Sequence, residues 1–119
     1  MKRLLPIALI FYSTSSFGFV TGLNAVAAHP SGEEIAVGGE MNFIAILSTS
    51  DFSTQTTINV NEHIADLFYS SDGSYLIAWS DDNNLHYINC SSWEVENTID
   101  DVYDVAFCPK KDIMAIHDW

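Results

Sequence analysis

Basic residues are nearly missing from this 119-residue chain: four Lys and Arg stand against sixteen Asp and Glu, for a net charge of −12. With no basic stripe to neutralise phosphates, nucleic-acid binding is not expected, and anionic membrane surfaces are disfavoured for the same reason. Cysteine is scarce as well: Cys90 and Cys108 are the two present, at a spacing with no metal signature such as C-x-x-C. The N-terminal apolar run, Leu4–Tyr12, is nine residues long, short of the roughly twenty that a stable membrane span needs. G-x-S-x-G, P-loop and G-x-G-x-x-G motifs are absent. The sequence therefore predicts no enzyme activity and no cofactor.

The first eighteen residues form a segment of their own. Met1-Lys2-Arg3 is a basic head, Leu4–Tyr12 an apolar stretch, and Ser16-Phe17-Gly18 a small-residue exit. That is the layout of a secretory signal peptide cleaved after Gly18. The expectation is export, periplasmic or extracellular, if cleavage occurs, and a cytoplasmic protein otherwise. An uncleaved anchor, an outer strand of a preceding blade and a buried N-terminal strand are the alternatives.

What the chain does contain is a degenerate repeat of about 41 residues. Leu23-x-x-Val26-x-Ala28 maps onto Ile64-x-x-Leu67-x-Tyr69, and a third copy starts as Val102-x-x-Val105-x-Phe107. Each copy continues into a turn and a short apolar run. These are His29-Pro30-Ser31-Gly32 before Ile35-Ala36-Val37, Ser70-Ser71-Asp72-Gly73 before Leu76-Ile77-Ala78, and Cys108-Pro109-Lys110-Lys111 before Met114-Ala115-Ile116. A period of 40–45 residues with four short strands per unit marks a β-propeller blade. The predicted fold is all-β: a partial propeller of four-stranded antiparallel blades over residues 19–119, with units near 21–61, 62–100 and 101–119.

Alternation and turn chemistry place the strands. Inner strands are predicted at Asn24–Ala28, Ala65–Tyr69 and Tyr103–Phe107, with their apolar side chains facing neighbouring blades. Second strands follow at Ile35–Gly38, Leu76–Trp79 and Met114–His117, and their continuous apolar character says both faces are covered. Gly32 and Gly73 supply positive φ in the intervening turns. Hairpins at Gly39–Asn42 and Asp81–Asn84, whose Asn and Asp tolerate the left-handed backbone these turns demand, lead to third strands at Phe43–Leu47 and Leu85–Asn89. Outer strands, half solvated, are predicted at Thr56–Val60 and Val95–Ile99, after connections centred on Phe52 and Trp93.

These stretches resemble a known family. Val26-Ala27-Ala28-His29-Pro30-Ser31-Gly32 with Glu33-Glu34-Ile35-Ala36-Val37, and Phe68-Tyr69-Ser70-Ser71-Asp72-Gly73 with Ser74-Tyr75-Leu76-Ile77-Ala78, look like WD-repeat propellers, nearer the divergent YVTN-like kind. The Gly-His pair before the inner strands is missing. The closing Trp-Asp is replaced by Leu47-Ser48 and Ile88-Asn89. Those losses imply that the family's blade-pinning network of side-chain hydrogen bonds is gone. The resemblance implies a non-catalytic scaffold binding protein partners or ligands. Four to eight blades need roughly 160 to 350 residues, so the expectation is a propeller segment, completed by further blades of the same protein or by another chain. In a propeller Cys90 and Cys108 lie at different radii, beyond disulfide reach, so both are expected as free thiols.

Candidate chemistry is thin. His29 reads as structural; His63, His86 and His117 are scattered, with no H-x-x-x-H arrangement. Asp81-Asp82-Asn83-Asn84 is oxygen-rich but lacks the alternating spacing of a Ca²⁺ loop and reads as a hairpin turn. Glu33-Glu34, Asp100-Asp101 and Asp104 read as solvated carboxylates of turns and connections. Trp79, Trp93 and Trp119, with Tyr69, Tyr75 and Tyr87, could line a ligand groove, but aromatics at strand spacing read first as blade core, with Trp119 exposed if the chain stops there. No residue is assigned a catalytic, cofactor or metal role. The alternative function is the N-terminal part of an exported propeller enzyme or quinoprotein-like protein with its catalytic residues in other blades.

Overall fold

A computed structural model describes residues 22–108, 110–111 and 113–118, and their secondary structure is entirely β. The first blade is β1 (Leu23–Ala28), β2 (Glu34–Gly39), β3 (Phe43–Ser48) and β4 (Thr54–Asn59). The second is β5 (Ile64–Tyr69), β6 (Tyr75–Ser80), β7 (Leu85–Asn89) and β8 (Glu94–Ile99). β9 (Val102–Cys108) and β10 (Ile113–Asp118) form a two-stranded sheet. Every pair is antiparallel and joins strands adjacent in sequence, the meander of a propeller blade. Residues 1–18 and Trp119 lie outside the described residues.

The repeat extends to backbone detail. Bulges fall between Leu23 and Ala25 and between Ile64 and Asp66, then between Ile46 and Leu47 and between Tyr87 and Ile88. Gly32 N–H donates to the His29 carbonyl and Gly73 N–H to the Ser70 carbonyl, with φ of 76° and 74° at the two glycines. Phe52 and Trp93 hold φ of 58° and 57°, and their N–H groups close on Ser48 and Asn89. Left-handed backbone at bulky residues is uncommon. Its recurrence 41 residues apart shows that the connection, and not the residue type, dictates the conformation.

Four expectations need correction. The first outer strand runs Thr54–Asn59 and not Thr56–Val60: the bulge at Ile46/Leu47 pairs Leu47 with Thr54, while Val60 and Asn61 N–H both turn back to the Asn42 carbonyl. In the inner strand of blade one, Val26 is 49% exposed where its counterpart Leu67 is 3% exposed. Leu67 faces blade one, whereas no described blade lies against the Val26 side. In addition, β10 is not covered on both faces. Ala115 and Ile116 are exposed, and no described strand pairs with its second edge. At the Gly39–Asn42 hairpin no left-handed residue is needed, in contrast to Asn83 at φ 64°.

The main core lies between the two complete blades. Ala25, Ala36, Ile44, Ile46 and Ile58 of blade one meet Ile64, Leu67, Tyr69, Leu76, Ala78 and Ile88 of blade two. Gly38 is small for a reason: a Cβ there would stand 3.0 Å from the Ile64 Cβ. Ile35, Val37, Ala45 and Leu47 cluster on the other face of blade one. Ile77, Leu85 and Val102 form the third cluster, joined by Phe68, Trp79, Tyr87, Val105, Phe107 and Met114. Fully burying a side chain of the Leu or Ile class contributes about 1.5–3 kcal/mol, so this stacking dominates the energetics.

Candidate functional site

Blade two carries a polar network in its interior. His86 Nε2–H donates to Glu62 Oε2 at 2.9 Å, and His86 Nδ1 lies 2.9 Å from Thr98 Oγ1. Asn84 Nδ2 donates to Glu62 Oε1 at 2.9 Å, and the Ser80 hydroxyl also bonds Glu62. In a neutral ring with Nε2 protonated, Nδ1 accepts the Thr98 hydroxyl proton and every nitrogen is satisfied. Burial raises the Glu62 carboxyl, but the hydrogen bonds from Ser80, His86 and Asn84 outweigh it and hold the group below its ordinary value.

The Trp-Asp and Gly-His residues are gone, yet blade two has a pinning network built from a different set. Glu62 sits before the inner strand, Ser80 ends the second, His86 is on the third and Thr98 on the fourth, so one cluster ties the whole blade radially. The signal in the sequence was the His86/Thr98 cross-strand pair, legible only once the register was known. Blade one has Gly39, Ala45 and Thr57 at the matching positions, and Ala45 packs in an apolar cluster instead.

His29 joins the blades. Its Nε2–H donates to the Gly73 carbonyl at 3.0 Å, and its Nδ1 accepts from Ser31 N–H at 3.1 Å and pairs with Ser31 Oγ at 2.8 Å. The ring stands edge-on to Tyr69, with centroids 5.0 Å apart. Tyr69 O–H in turn reaches Glu34 Oε1 at 3.4 Å, and burial pushes its phenol up. The next junction is closed differently: Trp79 Nε1–H donates to the Val102 carbonyl at 2.9 Å, and Phe68 and Phe107 rings meet at 5.4 Å.

Around these turns polar groups serve local structure. Asp72 Oδ1 accepts from Ser74 Oγ at 2.6 Å, Ser74 N–H at 2.9 Å and Ser70 Oγ at 2.8 Å, which brings its carboxyl down to about 2. Asp104 Oδ1 accepts from Val105 N–H, Asp101 sits at φ 60°, and Asp81-Asp82-Asn83-Asn84 is the hairpin turn expected of it. Of the four histidines, His63 lies beside a small polar pocket of about 160 Å³ with Asp81 and Asp82, and His117 is on β10. The scattered carboxylates are not brought together. Among the described residues no group of three or more His, Cys, Asp or Glu side chains is arranged to hold a metal ion.

Two open grooves flank the Ser70–Gly73 turn. One, of about 510 Å³, is lined by Ala28, Pro30, Phe68, Tyr69 and Phe107. The other, of about 570 Å³, lies between blade two and the β9–β10 sheet, against Tyr75, Ile77, Tyr87, Met114 and Ile116. Tyr75, 36% exposed, is therefore groove wall and not blade core as expected, while Tyr69 is core. Cys90 and Cys108 are free thiols; burial, with Glu34 and Asp72 nearby, pushes the Cys90 thiol up to about 12.

Comparison with known proteins gives the fold. No protein-family model matches the sequence, and no curated protein matches it. Among solved structures, U3-55K superposes with a TM-score of 0.67 at 17% identity, over 74% of this chain and 29% of that one. The Neurospora crassa Pan2 WD40 domain superposes with a TM-score of 0.57 at 15% identity, over 70% of this chain and 26% of that one. The chain thus spans between a quarter and a third of the length of these structures, and it shares the WD40-type propeller blade with them.

Proposed function

We propose that this chain is a non-catalytic propeller segment whose role is to bind protein partners at its blade junctions. The observation that carries the reading is the pair of grooves beside the Ser70–Gly73 turn. Their walls combine aliphatic and aromatic side chains with Ser70, Ser71, Asp72 and Ser74, they open to solvent, and they lie where adjacent blades meet. Exposed apolar and aromatic patches rimmed by polar groups are the ordinary mark of an interaction surface. The likeness to a WD40 domain supports the same reading at the level of fold. The basic head, apolar run and small-residue exit of residues 1–18 support export of the mature chain.

Site-specific photocrosslinking from the groove in the producing cell tests this. A crosslinker at Ser71, on the first groove, is expected to yield discrete adducts with one protein, and one at Val95 on the outer strand is not. Absence of adducts at Ser71, or identical adducts at both positions, overturns the reading.

A further inference from the structure

Asp72-Gly73 is the one Asp-Gly step in the chain, and no Asn-Gly occurs. Such a step is chemically labile. Glycine has no side chain to hinder approach to its nitrogen, so that nitrogen can attack the carboxyl of the aspartate before it. The N–Cγ bond forms, the carboxyl hydroxyl and the amide proton leave as water, and a five-membered succinimide results. Water then adds to the ring. Addition at the main-chain carbonyl leaves residue 72 as isoaspartate, with one more carbon in the backbone. No reactant besides water is involved.

The fold cannot dispense with this glycine. Gly73 has φ of 74°, and a Cβ there would run into the His29 ring. His29 Nε2–H donates to the Gly73 carbonyl at 3.0 Å, so the close approach of ring and turn joins blades one and two at this end. Blade one meets the same backbone demand with Ser31-Gly32, 41 residues earlier. A serine side chain has no carbonyl to attack, so only blade two carries the labile step.

The turn withholds both requirements of cyclisation. The nucleophile is engaged, because Gly73 N–H donates to the Ser70 carbonyl at 2.9 Å. The electrophile is held elsewhere. Asp72 Oδ1 accepts from Ser74 N–H at 2.9 Å, one residue beyond the nitrogen it would have to meet. It also accepts from Ser74 Oγ–H at 2.6 Å and Ser70 Oγ–H at 2.8 Å. These bonds keep the carboxyl ionised, and a carboxylate has no hydroxyl to lose as water. Ser70 is itself fixed by the β5–β6 pair: its N–H donates to the Tyr75 carbonyl at 2.9 Å and its Oγ accepts from Tyr75 N–H at 3.0 Å.

We propose that Asp72 is a latent isomerisation site, closed in the native chain by the hydroxyls of Ser70 and Ser74 and opened when the Ser70–Gly73 turn comes loose. Isoaspartate at 72 lengthens the turn by one atom and moves the Gly73 carbonyl away from His29. The modification thus loosens the joint between blades one and two.

The full chain and the free peptide Ser-Ser-Asp-Gly-Ser-Tyr-Leu are incubated side by side at neutral pH, and isoaspartate at residue 72 is followed by peptide mapping with enzymatic methylation. The peptide is expected to accumulate it about tenfold faster or more, and urea that unfolds the chain should bring the two rates together. Ser74→Ala removes one hydroxyl and keeps the backbone bonds of the turn. It should speed the reaction in the folded chain about three- to tenfold, the worth of one hydrogen bond, and leave the rate in urea unchanged. In the isoaspartyl fraction, hydrogen exchange should quicken in β1 and β5 and stay as it was in β3 and β7. Equal rates for chain and peptide without urea overturn the proposal. So does a Ser74→Ala chain that stays folded by circular dichroism and isomerises no faster. An isoaspartyl fraction with unaltered exchange in β1 and β5 overturns the link to the joint. If Ser74→Ala does not fold, the comparison of chain with peptide decides alone.

Discussion

Blades one and two share a backbone down to their bulges, yet they are held by different chemistry. Blade one places Gly39 and Ala45 where blade two has Ser80 and His86. The first packs apolar side chains there, with Ala45 buried against Ile35, Val37 and Leu47. The second closes on a hydrogen-bonded carboxylate–imidazole pair with satisfied neighbours. Among the described residues, no buried side-chain nitrogen or oxygen is left without a partner. The junctions differ in the same way: Gly38 lets Ile64 pack directly, whereas Trp79, its counterpart one blade on, reaches the Val102 carbonyl. One blade geometry thus accepts either apolar or polar fastening, provided each is complete.

The comparison is broken most strongly at His86. His86→Ala leaves Glu62 and Thr98 without their partner in a largely buried site, and a loss of about 2–4 kcal/mol is expected. Urea unfolding measures the loss, and hydrogen exchange should quicken in β5–β8 more than in β1–β4. A uniform effect on both blades would show that the network is not local to blade two.

Trp79→Phe keeps most of the ring and removes the bond to Val102. About 1–2 kcal/mol is expected, with β9 and β10 exchanging faster and β1–β4 unchanged. Acid should act on blade two through its carboxylates. Asp72 and Glu62 are both held below their ordinary values, Asp72 from 3.8 to about 2. A carboxyl lowered in the folded state stabilises it above the unfolded value, and that contribution fades as pH falls through the folded one. Stability contributed by Asp72 should therefore be steady above about pH 5 and decline between pH 4 and 2, and Asp72→Asn should remove part of that decline in acid titration followed by circular dichroism. The smallest effect concerns the thiols. Cys90 sits in the closed junction with its thiol raised to about 12, and Cys108 is exposed in the open one. Iodoacetamide at pH 8 should label Cys108 well before Cys90, as peptide mapping would show.

Much of the fold was legible in the sequence because blade turns have local chemistry. Gly32, Gly73 and Asn83 announce left-handed positions, and alternating apolar residues announce strands. Bulges are not local in that sense. The shift at Ile46/Leu47 starts the first outer strand two residues earlier than expected, and nothing in Thr54-Gln55-Thr56 marks it. The polar network was illegible for a related reason. Glu62, Ser80, Asn84, His86 and Thr98 converge only when four strands are in register, so spacing along the chain carries no trace of them. His29 was rightly read as structural, but its partner, the Gly73 carbonyl 44 residues away, is a backbone group that no motif encodes. The grooves depend on which faces lack a packed neighbour, which the apolar pattern of β10 concealed by reading as buried strand.

Native-state hydrogen exchange resolved by residue tests the central claim, that two complete blades form one joined unit and β9–β10 attach to it through the smaller cluster around Val102, Trp79 and the Phe68–Phe107 contact. β2, β3, β6 and β7 are expected to share the highest protection and open together, while β9 and β10 exchange measurably faster. Protection of β9–β10 equal to that of β6 and β7, or separate opening of blades one and two, would contradict it.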